Sequence, residues 1–108
     1  LVSPSFVLIL EYARAEDDQR LYHVDLYRVS GAGEAWSLGL DDFLGVKDAV
    51  SVIEWAERAE SVIPPDHLWI ELEFVEPADP TRRHLCFSAH GRRHLALLRE
   101  FRRAAFGA

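Results

Sequence analysis

The most informative segment of this chain for its fold is Leu21-Tyr22-His23-Val24-Asp25-Leu26-Tyr27-Arg28-Val29. Successive side chains of a β-strand point to opposite faces, so residues two apart share a face. One face is mainly apolar and the other mainly polar: the first carries Tyr22, Val24, Leu26 and Arg28, and the second His23, Asp25 and Tyr27. We therefore predict a strand over residues 21–29, with one face in the core and a row of polar side chains on the other.

Two flanking segments give the predicted sheet a mixed character. The apolar run Phe6–Tyr12 predicts a preceding strand, and the polar segment Ala13–Arg20 predicts a hairpin loop between the two. Further along the chain, Val50–Glu54 is almost wholly apolar, which is typical of a parallel strand buried on both faces. The sequence thus predicts an antiparallel hairpin beside a parallel central strand.

The segments around these strands predict helices and two more strands. Apolar residues at helical spacing predict a short helix through Trp36, Leu40, Phe43 and Leu44. One or two helical turns are predicted over Ala56–Ile63, stopped by Pro64-Pro65. Alternation predicts a half-buried strand over Leu68–Phe74 and a weaker one over Arg83–Ala89. The stripe of Leu95, Leu98, Phe101 and Ala105 predicts an amphipathic helix that packs on the sheet. Residues 1–108 are thus predicted to form one α/β domain with a mixed sheet.

Length and composition bound the class of protein. The 108 residues suit one domain or part of one, and 49% of them are apolar. No apolar run approaches the roughly 20 residues that a membrane helix needs. The single cysteine, Cys86, excludes an internal disulfide and fits a reducing compartment, so we predict a cytoplasmic protein. The chain has no methionine, which leads us to expect further sequence upstream of Leu1.

Charge is distributed unevenly along the chain. The net charge is −6, yet most of the basic residues lie from Arg82 onward, where Glu100 is the one acid. Such a basic C-terminal part contacts RNA or an acidic partner in some proteins, and in others it is only a solvated helix face. The charge pattern alone leaves both interpretations open.

Two acidic residues of the predicted strands, Asp25 and Glu54, are candidates for a functional site. Asp25 lies among apolar strand residues, where burial is costly unless the carboxylate is paired or binds a metal. Its other interpretation is an edge-strand Asp that is hydrated, or paired with His23 or Arg28. Glu54 ends the apolar strand, and ligands of open α/β sheets bind beyond the carboxyl ends of the strands. A carboxylate there is suited to a hard cation such as Mg²⁺.

Other side chains offer weaker indications of a site. Trp55 either covers a nucleotide or packs in the core. The hydroxyls of Ser3-Pro4-Ser5-Phe6 either contact a metal or phosphate oxygen, or belong to an ordinary turn at the start of a strand. The histidines lack zinc-ligand spacing, no hydrolase nucleophile elbow is present, and nothing around Asp25 and Glu54 indicates the sugar cleft of a glycosidase.

Taken together, these segments resemble the TsaE (YjeE) family. That family shows Ser-Pro-Thr-aromatic, Tyr-His-Phe-Asp-Leu-Tyr-Arg, Gly-Leu-Asp-Glu-Tyr and Ile-Glu-Trp-Pro-Glu in this order. The corresponding segments here are Ser3-Pro4-Ser5-Phe6, Tyr22–Arg28, Leu38–Phe43 and Ile53-Glu54-Trp55-Ala56-Glu57. The resemblance covers about the first seventy-five residues strongly, and implies a P-loop NTPase-like sheet flanked by helices.

The resemblance has departures. Ser5 occupies the position of the Thr in the first family motif, and Ala56 occupies the position of the Pro in the last one. The family's N-terminal part leads into Gly-x-x-x-x-Gly-Lys-Thr, whose backbone N–H groups and Lys hold phosphates. The one lysine here, Lys47, lies between Val46 and Asp48 and does not belong to such a loop. We therefore expect an N-terminally truncated TsaE-like domain that is inactive alone.

The family implies a function and a site. It implies ATP binding and slow hydrolysis with Mg²⁺, in support of the TsaB and TsaD proteins, which transfer threonylcarbamoyl to adenosine 37 of tRNA. It implies Glu54 as a Mg²⁺ ligand and Asp25 as a second acid near the metal, both catalytic. It implies nucleotide contacts by Ser5 and Trp55 and by Arg82 or Arg83. The alternatives are a non-catalytic interaction fragment that binds partner proteins without nucleotide, and an unrelated nucleotide-independent domain.

Overall fold

The computed structural model describes residues 8–29, 33, 39–40, 43–46, 48–76 and 78–107. The chain divides into two compact units, Leu1–Pro64 and Pro65–Ala108. That residues 1–108 form a single domain stays a prediction. Trp36, which begins the predicted short helix, lies outside the described residues.

The first unit contains the mixed sheet that the sequence predicts. Strands β1 (Leu8–Ala13), β2 (Arg20–Asp25) and β3 (Ala49–Glu54) follow one another in the order β1-β2-β3. β1 and β2 are antiparallel, and β2 and β3 are parallel, as predicted. The hairpin loop between β1 and β2 is closed by an ion pair between Arg14 and Asp17.

Strand β2 is shorter than the sequence predicts. It ends at Asp25, and the residues up to Val29 form a turn in which the Val29 N–H donates to the Leu26 carbonyl at 3.0 Å. Asp25 itself stops the strand, because its Oδ1 accepts a hydrogen bond from the Tyr27 N–H at 3.0 Å. An Asp that bonds the backbone two residues on replaces the ladder with a turn.

The prediction that β3 is central and buried on both faces is wrong for the described sheet. β2 is the middle strand, and β3 has β2 on one edge and no described strand on the other. Val50 and Val52 are 49% and 48% exposed. A short apolar run reports only the character of its own side chains, whereas burial also requires neighbours on both faces.

The core of the first unit lies on the opposite face of the sheet. It is formed by buried apolar residues from the strands, the turn after β2 and the segments that follow: Ile9, Val24, Leu26, Val29, Leu40, Ala59 and Val62. Phe43 packs against this core and meets Tyr22 edge-on at 5.4 Å. The turn after β2 therefore still contributes to the core, although it has left the strand.

A short 3₁₀ helix, Ala56–Val62, follows β3, where the sequence predicts one or two helical turns. It is irregular, because Ala59 has φ −150° and interrupts the helical backbone. Trp55 precedes it in the left-handed conformation with φ 60° and ψ 38°, which is uncommon for a residue with a side chain. The backbone therefore turns sharply directly after Glu54.

The second unit is a hairpin with one helix. β4 (His67–Glu76) and β5 (Asp79–His90) pair antiparallel, and helix α1 covers Arg92–Phe106. The two strands and the helix confirm the predicted elements, with longer bounds. The helix packs on the hairpin, where Phe101 stacks on Phe87 at 5.7 Å between ring centroids.

The prediction of a half-buried β4 is wrong over its outer half. Leu72 and Phe74 are 66% and 63% exposed. Both lie nearer to the hairpin turn than Ile70, the residue opposite Phe87, on which the helix residue Phe101 stacks. Alternating apolar residues are buried only where another apolar surface covers their face. The described part of the unit Pro65–Ala108 offers a single helix to cover a ten-residue strand.

The start of α1 is capped by the side chain of Asp66, which immediately precedes β4. Gly91, at the N-cap position, has no side chain to bond the first helical N–H groups, and Asp66 replaces it. The Asp66 carboxylate accepts from the N–H groups of Arg93 and His94 at 3.2 Å each, and from the His94 ring. The His94 bond is the main reason why the pKa of Asp66 is lowered.

Among the residues that the structure describes, no helix has the length and apolar character that crossing a membrane requires.

Candidate acidic site at the strand ends

The two predicted acids lie side by side at the carboxyl ends of adjacent parallel strands. Asp25 ends β2, Glu54 ends β3, and the two residues are partners in the register. The Leu26 N–H donates to the Glu54 carbonyl at 3.0 Å, so the pairing continues one residue beyond Asp25. Neighbouring strands are about 4.8 Å apart, and residues in register across parallel strands share a face. The fold therefore joins two acids that lie far apart in the sequence.

A histidine belongs to the same group. His23 precedes Asp25 by two residues and shares its face, and its Nε2 lies 2.9 Å from Glu54 Oε2. The side chains of His23 and Glu54 are 35% and 54% exposed, so the group is open to solvent on one side. The sequence had left open a pairing of His23 with Asp25, and the structure pairs His23 with Glu54 instead.

Asp25 and Glu54 are the two described carboxylates that could hold a Mg²⁺ ion here, and they would supply only part of its coordination. Within the described ranges, no three His, Cys, Asp or Glu side chains form a group able to hold a metal ion. Mg²⁺ is commonly held by one or two carboxylates, with water and substrate phosphates completing the coordination. Each carboxylate has one oxygen engaged, Oδ1 of Asp25 by Tyr27 and Oε2 of Glu54 by His23, and so retains a second oxygen.

An aromatic residue follows each acid closely in the sequence: Tyr27 comes two residues after Asp25, and Trp55 comes directly after Glu54. Tyr27 and Trp55 meet edge-to-face, with ring centroids 5.0 Å apart. The Arg58 guanidinium lies 5.5 Å from the Tyr27 ring centroid and 5.6 Å from that of Trp55, within the range of cation–π attraction. Trp55 is 46% exposed, so packing in the core is not its role. The indole thus contacts Tyr27 and Arg58 while part of its surface stays open.

A match to a family profile shows to which protein family this chain belongs. A family profile described as "Threonylcarbamoyl adenosine biosynthesis protein TsaE" matches residues 1–84, well over half of the chain. The chain belongs to the TsaE family. Its match spans all six predicted site residues: Ser5, Asp25, Glu54, Trp55, Arg82 and Arg83.

Individual TsaE relatives agree with this assignment. The tRNA threonylcarbamoyladenosine biosynthesis protein TsaE of Streptomyces coelicolor is 32% identical over 96 residues, which are 86% of this chain and 63% of that protein. The protein of the same name from Haemophilus influenzae is 29% identical over 76 residues, 70% of this chain and 46% of that one. The chain therefore spans about half to two thirds of the length of these relatives. Their names associate the TsaE family with tRNA threonylcarbamoyladenosine biosynthesis.

The fold is shared with a solved structure. A crystal structure of Bacillus subtilis YdiB superposes with a TM-score of 0.66 and 30% identity, covering 92% of this chain and 57% of YdiB. The mixed α/β class that the sequence predicts is thus confirmed, and the likeness to YdiB supports its P-loop-like character.

The other predicted site residues of this TsaE-family chain are placed differently. Ser5 lies outside the described residues. Arg82 and Arg83 lie on β5 of the second unit, and both are exposed. The Arg83 guanidinium stacks over the Phe74 ring at 4.1 Å and donates to the Pro80 carbonyl. Arg83 is therefore engaged within its own hairpin, and the nucleotide contacts of these residues stay predictions.

Sequence reasoning missed two members of the site. In the sequence, His23 is a candidate partner of Asp25, with which it shares a strand face, and one of the histidines that lack zinc-ligand spacing, but nothing there predicts a bond to Glu54. Its partner Glu54 lies 31 positions away, and only the strand register joins them. Arg58 lies within the predicted helical turns over Ala56–Ile63 and has no predicted role, yet its spacing of three from Trp55 is the spacing at which helical side chains meet.

Proposed function

We propose that this chain supplies the acidic, magnesium-holding side of the ATP site of a TsaE-type ATPase in the cytoplasm. ATP binding and slow hydrolysis there support the TsaB and TsaD proteins as they transfer threonylcarbamoyl to adenosine 37 of tRNA. One observation carries the proposal: Asp25 and Glu54 are register partners at the carboxyl ends of parallel strands. Family membership over residues 1–84 supports it.

The residues would divide the work by their chemistry. Asp25 and Glu54 would hold Mg²⁺ through the carboxylate oxygens that Tyr27 and His23 leave open. Mg²⁺ supplies neutralisation of the negative charge that develops on the phosphates during phosphoryl transfer. Trp55, with nearly half of its surface open, would cover the nucleotide. Ser5, and Arg82 or Arg83, would add contacts to the nucleotide.

A second candidate is a non-catalytic fragment that binds partner proteins without nucleotide. The outer face of the three-stranded sheet favours it, because Tyr12, Val50 and Val52 are each about half exposed there. Apolar surface of this kind is common at protein interfaces. The chain's one lysine, Lys47, also lacks the neighbours of a phosphate-binding loop.

Phosphate release separates the two candidates. We expect no Mg²⁺-dependent ATP hydrolysis by the chain alone, because two carboxylates without a phosphate-gripping loop repel ATP rather than hold it. A chimera that places a family strand and Gly-x-x-x-x-Gly-Lys-Thr segment before Leu1 is expected to bind Mg²⁺–ATP and release phosphate. A folded chimera that neither binds nor hydrolyses ATP would favour the non-catalytic fragment. Turnover by the chain alone would show that the site is misplaced.

Partner binding is a separate prediction. We expect the chain to bind a TsaB–TsaD complex weakly, since it contains most of the family's segment after the loop. The measurement is a calorimetric titration of the chain into the purified complex, with each partner alone for comparison. A lack of binding at high micromolar concentration would count against the prediction.

A further inference from the structure

The bond between His23 and Glu54 differs from an incidental surface pair in where it lies. Its 2.9 Å contact joins two strands on the face that carries both acids, and it engages Oε2 of the carboxylate that ends β3. His23 is opposite Val52 in the register, so the bond runs diagonally along the sheet to reach Glu54. The ring therefore comes to Glu54 from within the strand, on the side away from the strand end.

We propose that His23 is a positioning residue for Glu54: it holds Oε2, and thereby directs Oε1 toward a divalent cation shared with Asp25. The inference rests on the proposed function, because it assumes that the acids bind Mg²⁺. His23 is not a ligand in this arrangement. It acts on the cation through the carboxylate that it holds.

The need for such a residue follows from the nature of the glutamate side chain. Glu54 has three rotatable side-chain bonds, is 54% exposed, and stands where the backbone turns into the left-handed Trp55. Fixing such a chain on a cation costs conformational entropy unless it is already restrained. Asp25 is shorter and already has Oδ1 fixed by the Tyr27 N–H. The two acids are thus restrained in parallel, Asp25 by the backbone and Glu54 by His23.

General metal-site chemistry gives the size of the effect. Carboxylates that bind metals are themselves held by hydrogen bonds, and loss of such a partner typically costs about 10- to 100-fold in metal affinity. The site here is open to solvent, so we expect the low end of that range. His23→Ala should weaken divalent cation binding about 10-fold.

Mn²⁺ provides a direct readout that does not depend on ATP turnover. The full chain, labelled with ¹⁵N, is titrated with Mn²⁺, and the paramagnetic broadening of the Asp25 and Glu54 amides gives the affinity. Mg²⁺ competition checks that the same site binds both ions. His23→Gln retains an N–H donor at similar reach and should stay within about threefold of the unsubstituted chain, whereas the shorter His23→Asn should resemble His23→Ala. The matched control is His84→Ala, an exposed strand histidine of the second unit, which should change nothing.

The acid variants separate failure of the inference from failure of the proposed function. Asp25→Asn and Glu54→Gln should each remove the broadening at the strand ends. If they do not, the metal site and the proposed function are wrong. If they do, but His23→Ala and His23→Asn bind Mn²⁺ as well as His84→Ala, His23 does not position Glu54. Tighter binding by His23→Ala would also overturn the inference, because His23 would then compete with the cation. If His23→Ala does not fold, the Gln and Asn pair decides.

Discussion

Glu54→Ala is expected to reduce the kcat/KM of Mg²⁺-dependent ATP hydrolysis by at least about 100-fold in the chimera that carries a phosphate-binding loop. Loss of a residue that only supports a metal ligand typically costs about 10- to 100-fold, so loss of the ligand itself should cost no less. Glu54 is the acid that ends β3 in register with Asp25. We therefore expect the Glu54 carboxylate to bind the metal ion directly.

Glu57→Ala is the matched control for this prediction. Glu57 has the same side chain, follows three residues later in the first turn of the 3₁₀ helix, and is exposed. Its replacement should change kcat/KM by no more than about twofold, as is usual for surface positions. The measurement is phosphate release over a range of Mg²⁺ concentrations. Equal effects of Glu54→Ala and Glu57→Ala would contradict the assignment of the site.

Gly91→Ala is expected to cause the largest loss of stability in the second unit. Gly91 has φ 88° and ψ 161°, a conformation that is essentially confined to glycine and costs other residues about 1–3 kcal/mol. A Cβ at this position would also lie 2.7 Å from Asp66 Oδ2 and 2.8 Å from Asp66 Cβ, closer than real Cβ atoms approach other atoms. Alanine therefore strains the backbone and displaces the side chain that caps α1.

Gly107→Ala separates backbone strain from the displaced cap. Gly107 lies at the other end of α1 with φ 72°, and a Cβ there would meet nothing within 4 Å. Its replacement should cost about 1–2 kcal/mol from the left-handed backbone alone. The measurements are the free energy of unfolding by denaturant and the hydrogen exchange of the Arg93 and His94 amides. Gly91→Ala should lower stability roughly twice as much as Gly107→Ala, and should speed exchange at both amides.

A double substitution tests the part that Asp66 plays. In an Asp66→Ala background the cap is already lost, and no carboxylate remains for a new Cβ to meet. Gly91→Ala should then cost less than it does beside Asp66, yet still something, because the backbone strain remains and residue 66 keeps its Cβ, 2.8 Å from the new one. If Gly91→Ala lowered the free energy of unfolding no more than Gly107→Ala does in the chain that keeps Asp66, the Asp66 side chain would have moved aside without consequence.

The acid side of the pH range gives an independent check on the same cap. The pKa of the Asp66 carboxyl is lowered, mainly by its bond to His94. A lowered pKa in the folded state means that the carboxylate stabilises the fold above its ordinary pKa, and that this contribution is lost as pH falls through the folded value. The difference in stability between the unsubstituted chain and Asp66→Ala should therefore shrink in acid.

The kinds of elements, their order along the chain and the family could all be predicted from the amino-acid sequence. Local periodicity reports whether a segment is extended or helical, so β1 and β2, the strand at β3, the 3₁₀ turns and α1 were all predictable. The sequence also indicated Asp25 by its place among apolar strand residues and Glu54 by its place at a strand end, and the family resemblance implied that both lie near one metal. The Tyr22–Arg28 and Ile53–Glu57 segments indicated the family, which the match to residues 1–84 then confirmed.

Which face of a strand is covered, and which distant side chains meet, depends on contacts that form only in the folded chain. Burial of β3 and of the outer half of β4 depends on what packs against them. The apolar character of a residue does not show whether anything does, and four apolar residues of these strands are exposed: Val50, Val52, Leu72 and Phe74. The His23–Glu54 bond spans 31 residues and exists because β2 and β3 pair in one register. The Asp66 cap spans 27 residues to Arg93 and needs the hairpin to return the chain to its start. A sequence pattern records local geometry, whereas register and packing are set by contacts between segments that only the folded chain brings together.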